Sequence, residues 1–325
     1  MTNQNSKTTS PGDTGVGYQS QRIKVKVPGS TSNLGSGFDT LGIALSISNT
    51  VEVALSENAG DRQVPVSIRS TISSAIRPGA ENMLAGVSRV FEEKTGIPAP
   101  GVDVWIEGDV PLARGLGSSV TIRLGLLAAL GRITGVDPDI KTLGEWVSEI
   151  EGHPDNAMPS ALGGFCASGW PEGSDRLECL RIELPQDYCF VSLVPTFEVK
   201  TEEARRSLPG SYSRSDAVKG LNRAAMITGL ICTDQIELLK GFFDDPIHQP
   251  YRGQLIPGYA ECMRAGVEAG AIGGWISGSG STLMWLTRGE GTSVGAAVQS
   301  KMPDARLHYL RPDNKGLTFL KQNPS

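Results

Sequence analysis

The segment Gly101–Thr134, "GVDVWIEGDVPLARGLGSSVTIRLGLLAALGRIT", constrains the fold more than any other part of the chain. Its first third alternates apolar and polar residues, the period of a half-buried strand. Its last third is apolar on every side, the pattern of a helix enclosed by other elements. Small residues lie between, and Ser118 and Ser119 are good residues for a helix start. A strand, a glycine-rich loop and a buried helix in that order present unpaired N–H groups at a helix N-terminus. The helix dipole adds about half a positive charge there. Gly115 and Gly117 let the chain fold tightly around an anion, and the two serine hydroxyls can donate to it or approach a magnesium ion. The loop lacks the Gly-Lys-Ser/Thr ending of the common nucleotide loop. The alternative reading is a glycine-rich turn that only starts a helix.

The rest of the chain mixes strands and helices without steady strand–helix–strand alternation, which favours an α+β fold. Arg22–Val27 alternates and reads as a strand that Pro28 ends, with a small-residue loop after it; Thr50–Ser56 is a second strand. Met83, Leu84, Val87, Val90 and Phe91 fall at helical spacing, so a helix is expected from about Asn82 to Lys94, stopped by Gly96 and Pro98. "DIKTLGEWVSEIEG" is a further helix, and "HPDNAMPSALGGFCAS" a loop running towards a strand. Beyond residue 171, "LECLRIELP" and "YCFVSLVP" read as strands, "TEEARRSL" and "SDAVKGLNRAAMITGLICT" as helices. "GAIGGWISGSGSTLMWLT" is a glycine-rich loop between two apolar runs. With 325 residues the chain can hold two modest domains. The expected division is a polar, disordered tail over 1–20, an N-terminal domain over 21–170 and a C-terminal domain over 171–325.

Composition excludes several classes. The net charge of −5 and the lack of a basic run with interleaved aromatics speak against nucleic-acid binding. No apolar run approaches the length of a membrane span, and residues 1–20 lack the apolar middle of a secretory signal. Five scattered cysteines without a Cys-x-x-Cys pair suggest reduced thiols in a cytoplasmic setting.

Four segments, in order, carry a family resemblance. "PLARGLGSS" (Pro111–Ser119) resembles the phosphate loop of the GHMP kinases, the family of galactokinase, homoserine kinase, mevalonate kinase and phosphomevalonate kinase. "VPGSTSNLGSGFDTLGIAL" (Val27–Leu45) is similar to the first motif of the homoserine kinases, and "EGHPDNAMPSALGG" (Glu151–Gly164) to their version of a later segment. "GGWISGSGST" (Gly273–Thr282) resembles the third GHMP motif. The likeness covers residues from about 22 to 310. It implies a ribosomal-protein-S5-like N-terminal domain and a ferredoxin-like C-terminal domain with the site between them. It also implies ATP and Mg2+ as cofactors, homodimers as the common assembly, and phosphorylation of L-homoserine in threonine biosynthesis.

The same resemblance assigns residues. ATP would lie along Pro111, Arg114, Gly115, Leu116, Gly117, Ser118 and Ser119, with adenine read by Asn82, whose alternative is a helix N-cap. Magnesium would be held by the hydroxyl of Ser119 and the carboxylate of Glu145, with Glu149 and Glu151 as nearby rivals. A zwitterionic acceptor needs an acidic partner for its ammonium and cations, best a bidentate arginine, for its carboxylate. Asp39 matches the first role, and Arg205 with Arg252 the second; Arg206 competes as a plain surface charge. Asn33, His153, Asn156, Thr201 and Gly278 complete the acceptor site; His153 can also be an ordinary loop residue. Asn156, Asp155 and Arg205 stand nearest the chemistry, with Asp155 a contributor rather than an assigned base. Mevalonate and galactose carry no amino group and would not call for this aspartate with two arginines. The rivals are a GHMP kinase with another hydroxy-acid acceptor, and a non-catalytic sensor on the same fold. The chain departs from the family at Val120, Thr121 and Ser281, where two alanines and a proline are usual.

Overall fold

The computed structural model describes residues 22–56, 67–70 and 80–321; the tail expected over 1–20 lies outside the described residues. Two sheets organise the chain. The first has seven strands: β1 (Ile23–Ser32), β2 (Leu41–Leu55), β3 (Ser67–Ser70), β4 (Val102–Gly108), β5 (Phe165–Gly169), β6 (Glu178–Ile182) and β11 (Thr318–Phe319). The second runs in the order β10 (Arg306–Leu310), β7 (Tyr188–Val194), β9 (Leu283–Arg288), β8 (Gly273–Ile276), all antiparallel.

Two strands exceed what alternation suggests. β1 continues past Pro28 to Ser32, with its register against β2 shifted between Pro28 and Ser30. Past that irregularity it turns to the loop before the buried helix, where Ser30 N–H donates to Leu116 O at 3.1 Å. β2 starts at Leu41, because its first residues are buried on both faces and show no polar alternation. The segment read as a loop after Glu151 contains a short helix, α4 (Ala157–Leu162), whose Pro159 falls in the first turn, where its missing N–H costs nothing.

The buried helix is α2 (Ser118–Thr134), set against β1 and β2 and covered by α1 (Ala80–Thr95), α3 (Ile140–Glu151) and α4. A core of Val25, Val51, Val104, Leu124, Leu127, Leu130 and Val147 fills this layer. On the second sheet β7 is buried along its whole length. Cys189, Val191 and Leu193 face a core shared with α8 (Tyr259–Glu268) and α9 (Thr292–Gln299), while Tyr188, Phe190 and Val194 face the other way. That other face meets α6 (Arg214–Cys232) through Ile227 and Ile231, and also Leu34, Leu41, Ile43, Leu116 and Phe165 from the first sheet and its loops. One apolar core therefore joins the two sheets.

The boundary expected at residue 170/171 falls inside the β5–β6 hairpin, so the first sheet runs on to Ile182, and β11 returns to it from the end of the chain. Among the described residues no helix is long and apolar enough to cross a membrane.

Candidate active site

A cavity of about 370 Å³ opens where the N-terminus of α2, the turn after β1, residues 151–156, α5 (Thr201–Arg206) and the glycine-rich turn after β8 converge. Its phosphate end is built from backbone. Gly115 and Gly117 have φ of +77° and +71°, a region L side chains rarely adopt. A Cβ on Gly115 would stand 2.0 Å from Ser277 O, and one on Gly117 2.7 Å from Ser30 Oγ. The loop thus needs glycine for both conformation and space. The first N–H groups of α2 have no intrahelical partners, as at any helix start, and the helix of 17 residues runs for nearly five turns behind them. Ser118 Oγ is buried there without a hydrogen-bond partner, a polar group that a bound anion would satisfy.

Of the two family departures at the start of α2, Thr121 has a structural reason. Thr121 Oγ1 accepts from Asn49 Nδ2 at 2.8 Å and donates to Ser118 O at 2.8 Å; Asn49 Oδ1 in turn accepts from Val110 N–H. The residue ties β2, the loop entry and the helix start together. Val120 is buried and lines the cavity. Ser281, the third departure, donates its hydroxyl to Phe197 O at 2.7 Å.

The carboxylate beside Ser119 is Glu151, not Glu145. Ser119 Oγ donates to Glu151 Oε1 at 3.0 Å, and Arg123 pairs with the same oxygen. Glu145 is absent from the cavity wall and pairs with Lys141 at 3.6 Å; Glu149 pairs with Lys94 at 2.6 Å. Six residues of helix separate Glu145 from Glu151, so the two point about 120° apart around α3. Arg114 also departs from expectation. Arg114 lines the cavity, but its guanidinium donates to Pro195 O (3.0 Å) and Thr196 O (2.7 Å) and pairs with Glu198, which ties the loop to the end of β7. Leu116 belongs to the shared core and contributes its carbonyl to Ser30; Pro111 lies outside the cavity wall. Asn82 lies in α1, one residue before Met83, which lines the cavity.

The acceptor end is built from side chains. The turn after β1 holds three non-glycine residues at positive φ, Asn33, Leu34 and Asp39, a costly conformation that the surroundings must enforce. Asn33 does part of this: its Oδ1 accepts Asp39 N–H at 3.1 Å and its Nδ2 donates to Gly278 O at 2.9 Å. Asp39 meets Arg205 in a two-pronged pair of 3.0 and 3.1 Å, which raises the guanidinium pKa further. The expected ammonium partner and carboxylate partner are therefore bonded to each other. Thr201 lies one turn before Arg205 and faces the cavity with it; Arg206 pairs with Glu202 on the surface. Arg252 is 3% exposed and donates to Gly278 O at 3.0 Å. Burial pushes its pKa down to about 10, which leaves it a cation near neutrality. Phe38 lies beneath both guanidinium groups, 4.9 Å from Arg252 and 5.8 Å from Arg205.

Residues 153–156 close the site between these ends. Asp155 is 2% exposed, and one of its oxygens is hydrogen-bonded to His153 Nδ1. Burial opposes the charged imidazole, but the Asp155 bond and charge, with Asp39 and Glu151 nearby, outweigh it and raise the His153 pKa. Asn156 is fixed against β1: Nδ2 donates to Ser30 Oγ at 3.0 Å and Oδ1 accepts from Ser32 Oγ at 3.1 Å. Ser32 and Ser279 line the cavity and Ser30 holds Asn156, and sequence reading misses all three; "GSTS" reads as a loop, whereas it is the end of β1, and Ser279 lies in the turn after β8. The ligand atoms of Asp39, His153 and Asp155 also gather within 4.8 Å. Arg205 pairs with Asp39 there, and His153 with Asp155, so these side chains already have partners in one another.

Comparison with known proteins gives this arrangement a class. Residues 82–164 match the GHMP kinases N terminal domain, and 228–304 the GHMP kinases C terminal domain. The chain is 35% identical over 300 residues to a homoserine kinase of Moorella thermoacetica, covering 91% of this chain and 99% of that one. It is 39% identical over 262 residues to one of Thermosynechococcus vestitus, covering 81% and 85%. The fold matches a crystal structure of homoserine kinase from Cytophaga hutchinsonii with a TM-score of 0.81 at 24% identity, over 97% of this chain and all of the other. Fold and site thus define a two-domain, ATP-using kinase of the GHMP class, acting on an alcohol group of a small molecule. Within that class the chain belongs to the homoserine kinase family.

Proposed function

We propose that this chain transfers the γ-phosphoryl group of ATP to the side-chain hydroxyl of L-homoserine, giving O-phospho-L-homoserine for threonine biosynthesis. The observation that carries the reading is Asp39 beside Arg205, with Arg252 buried behind them, in the same cavity as the phosphate loop. One anion and two cations match an α-ammonium and an α-carboxylate. The Asp39–Arg205 pair is partly exposed, and such pairs are worth about 0–1 kcal/mol. Opening it for a zwitterion exchanges one weak pair for two contacts.

Phosphoryl transfer requires alignment and charge stabilisation more than covalent help. The homoserine oxygen attacks the γ-phosphorus in line, the bond to the ADP oxygen breaks, and the hydroxyl proton passes to an oxygen of the transferred phosphoryl group. The N-terminus of α2 and the free Ser118 hydroxyl face the phosphate charge. Asn156, fixed by Ser30 and Ser32, borders the acceptor hydroxyl, and Arg205 contributes positive charge on the acceptor side. Asp155 is assigned to holding His153, since its carboxylate is engaged there. Ser119 Oγ and Glu151 Oε1 converge as a hard oxygen pair next to the phosphate loop, which fits Mg2+. Bound there, the ion would neutralise charge on the phosphate oxygens.

The test is ADP release with L-homoserine, mevalonate, shikimate and pantoate, with and without magnesium. Turnover with homoserine alone, dependent on magnesium, is expected. No turnover with homoserine would sink the reading, and binding of ATP and homoserine without turnover would indicate a sensor. We place the protein in the cytoplasm, supported by its free cysteines, and as a homodimer on the family pattern, which sedimentation of the purified chain checks.

A further inference from the structure

The two ends of the acceptor site come from the turn after β1 and from α7 (Gln249–Arg252), which are remote in sequence. A buried polar link joins them. Asp245, 3% exposed, accepts four hydrogen bonds: Oδ1 from Ser36 Oγ (3.0 Å) and Ile247 N–H (2.8 Å), Oδ2 from His248 N–H (2.7 Å) and Gln249 N–H (2.8 Å). The backbone donors start the turn that leads into α7, where Arg252 N–H donates back to His248 O. The fourth donor belongs to the turn that ends in Asp39. His248 adds a second tie: its Nε2 donates to Gly35 O at 2.9 Å, and its ring lies 5.3 Å from Phe38, the platform under both arginines. A carbonyl only accepts, so Nε2 carries the proton. Burial, with Arg252 adding, lowers the pKa of this fully buried ring to about 4 and keeps it neutral. Gln249 anchors the same helix to the second sheet, accepting from Ile276 N–H at 2.9 Å.

We infer that Asp245 is a positioning residue for acceptor recognition, setting the spacing between Asp39 and Arg252 so that the two charges match one α-amino acid. It touches no substrate and acts through Ser36 and the first turn of α7. This rests on the homoserine reading above. A carboxylate suits the position because every group it meets is a donor. Asparagine has the same shape but would bring an NH₂ group against N–H and O–H donors.

The test is steady-state kinetics of Asp245→Asn and Ser36→Ala, with both substrates varied, beside 3-aminopropan-1-ol, which is homoserine without its carboxylate. The parent is assayed first. Absence of homoserine turnover there overturns the reading of function and not the positioning role. For Asp245→Asn, KM for L-homoserine is expected to rise about 10-fold or more. KM for ATP should stay within about twofold, and the preference for homoserine over 3-aminopropan-1-ol should shrink. Ser36→Ala, which removes one link and leaves the helix start intact, is expected to raise homoserine KM about threefold with the fold retained; it carries the test if Asp245→Asn does not fold. An unchanged homoserine KM in a folded variant, or equal rises for homoserine and ATP, overturns the inference.

Discussion

At the end of the cavity proposed to take phosphate, the groups offered to an anion are backbone N–H groups and hydroxyls from one stretch, Gly115–Ser119. At the acceptor end the charges of Asp39, Arg205 and Arg252 come from three distant segments and are held by hydrogen bonds among side chains. A backbone site tolerates changes of side chain provided that no Cβ intrudes, which is why Val120 and Thr121 can stand where alanines are usual. A side-chain site tolerates changes of backbone context but not of charge. The two ends should therefore fail in different ways.

The largest effect is expected at Gly115. Gly115→Ala puts a Cβ against Ser277 O and forces an L residue to positive φ. Displacing the loop by an ångström costs about 100-fold in rate, so kcat/KM for ATP should fall at least that far. The strained residue adds about 1–2 kcal/mol of instability, read from the thermal midpoint. Next comes Arg252→Ala. Losing a charged hydrogen bond to the acceptor costs about 1.5–3 kcal/mol, so KM for homoserine should rise about 10- to 100-fold with ATP binding intact. Arg205→Ala, more exposed and already paired with Asp39, should give the smaller rise of the two. Equal loss of both substrates in either variant would erase the distinction between the ends.

Glu151→Gln should raise the magnesium concentration for half-maximal rate about 10-fold, while Glu145→Gln leaves it unchanged; the reverse result would restore the sequence assignment. A smaller effect attaches to the His153–Asp155 pair. The folded pKa of His153 is raised, so its contribution to stability is full below the unfolded value of about 6.5 and is lost as pH rises through the folded value. The difference in thermal midpoint between the parent and Asp155→Asn should accordingly be larger at about pH 5.5 than at about pH 9. Retained turnover in Asp155→Asn would also exclude a base role. The smallest effect is Thr121→Ala, expected to cost about 1 kcal/mol of stability through its two hydrogen bonds and to leave both KM values alone.

The same contrast explains what could be read from the chain. The place of Gly115, Gly117, Ser118 and Ser119 on the cavity is legible because a glycine-rich loop before a helix is a local object with its own composition. Asp39, Arg205 and Arg252 were legible as charges that suit an amino acid, but their pairing was not, since Asp39–Arg205 closes across 166 residues. Counting along the chain favours Glu145; helix phase, which counting does not register, puts Glu151 beside Ser119 and Glu145 beside Lys141. Arg114 is expected at phosphate because it sits in the glycine-rich loop; the carbonyls that claim its guanidinium belong to residues 195 and 196. β1 looked finished at Pro28 because its later residues are small and polar, and what keeps them extended is β2 and the carbonyl of Leu116.

The apolar core shared by the two sheets bears on how the molecule comes apart. Leu34, Ile43, Leu116 and Phe165 pack with Phe190, Ile227, Phe243 and Trp275, so neither half can keep its own interior while the other melts. Heating should give a single calorimetric transition rather than two. A chain cut at 170/171 should yield fragments that stay unfolded alone and regain structure only when mixed, because each half supplies a wall of the other's interior.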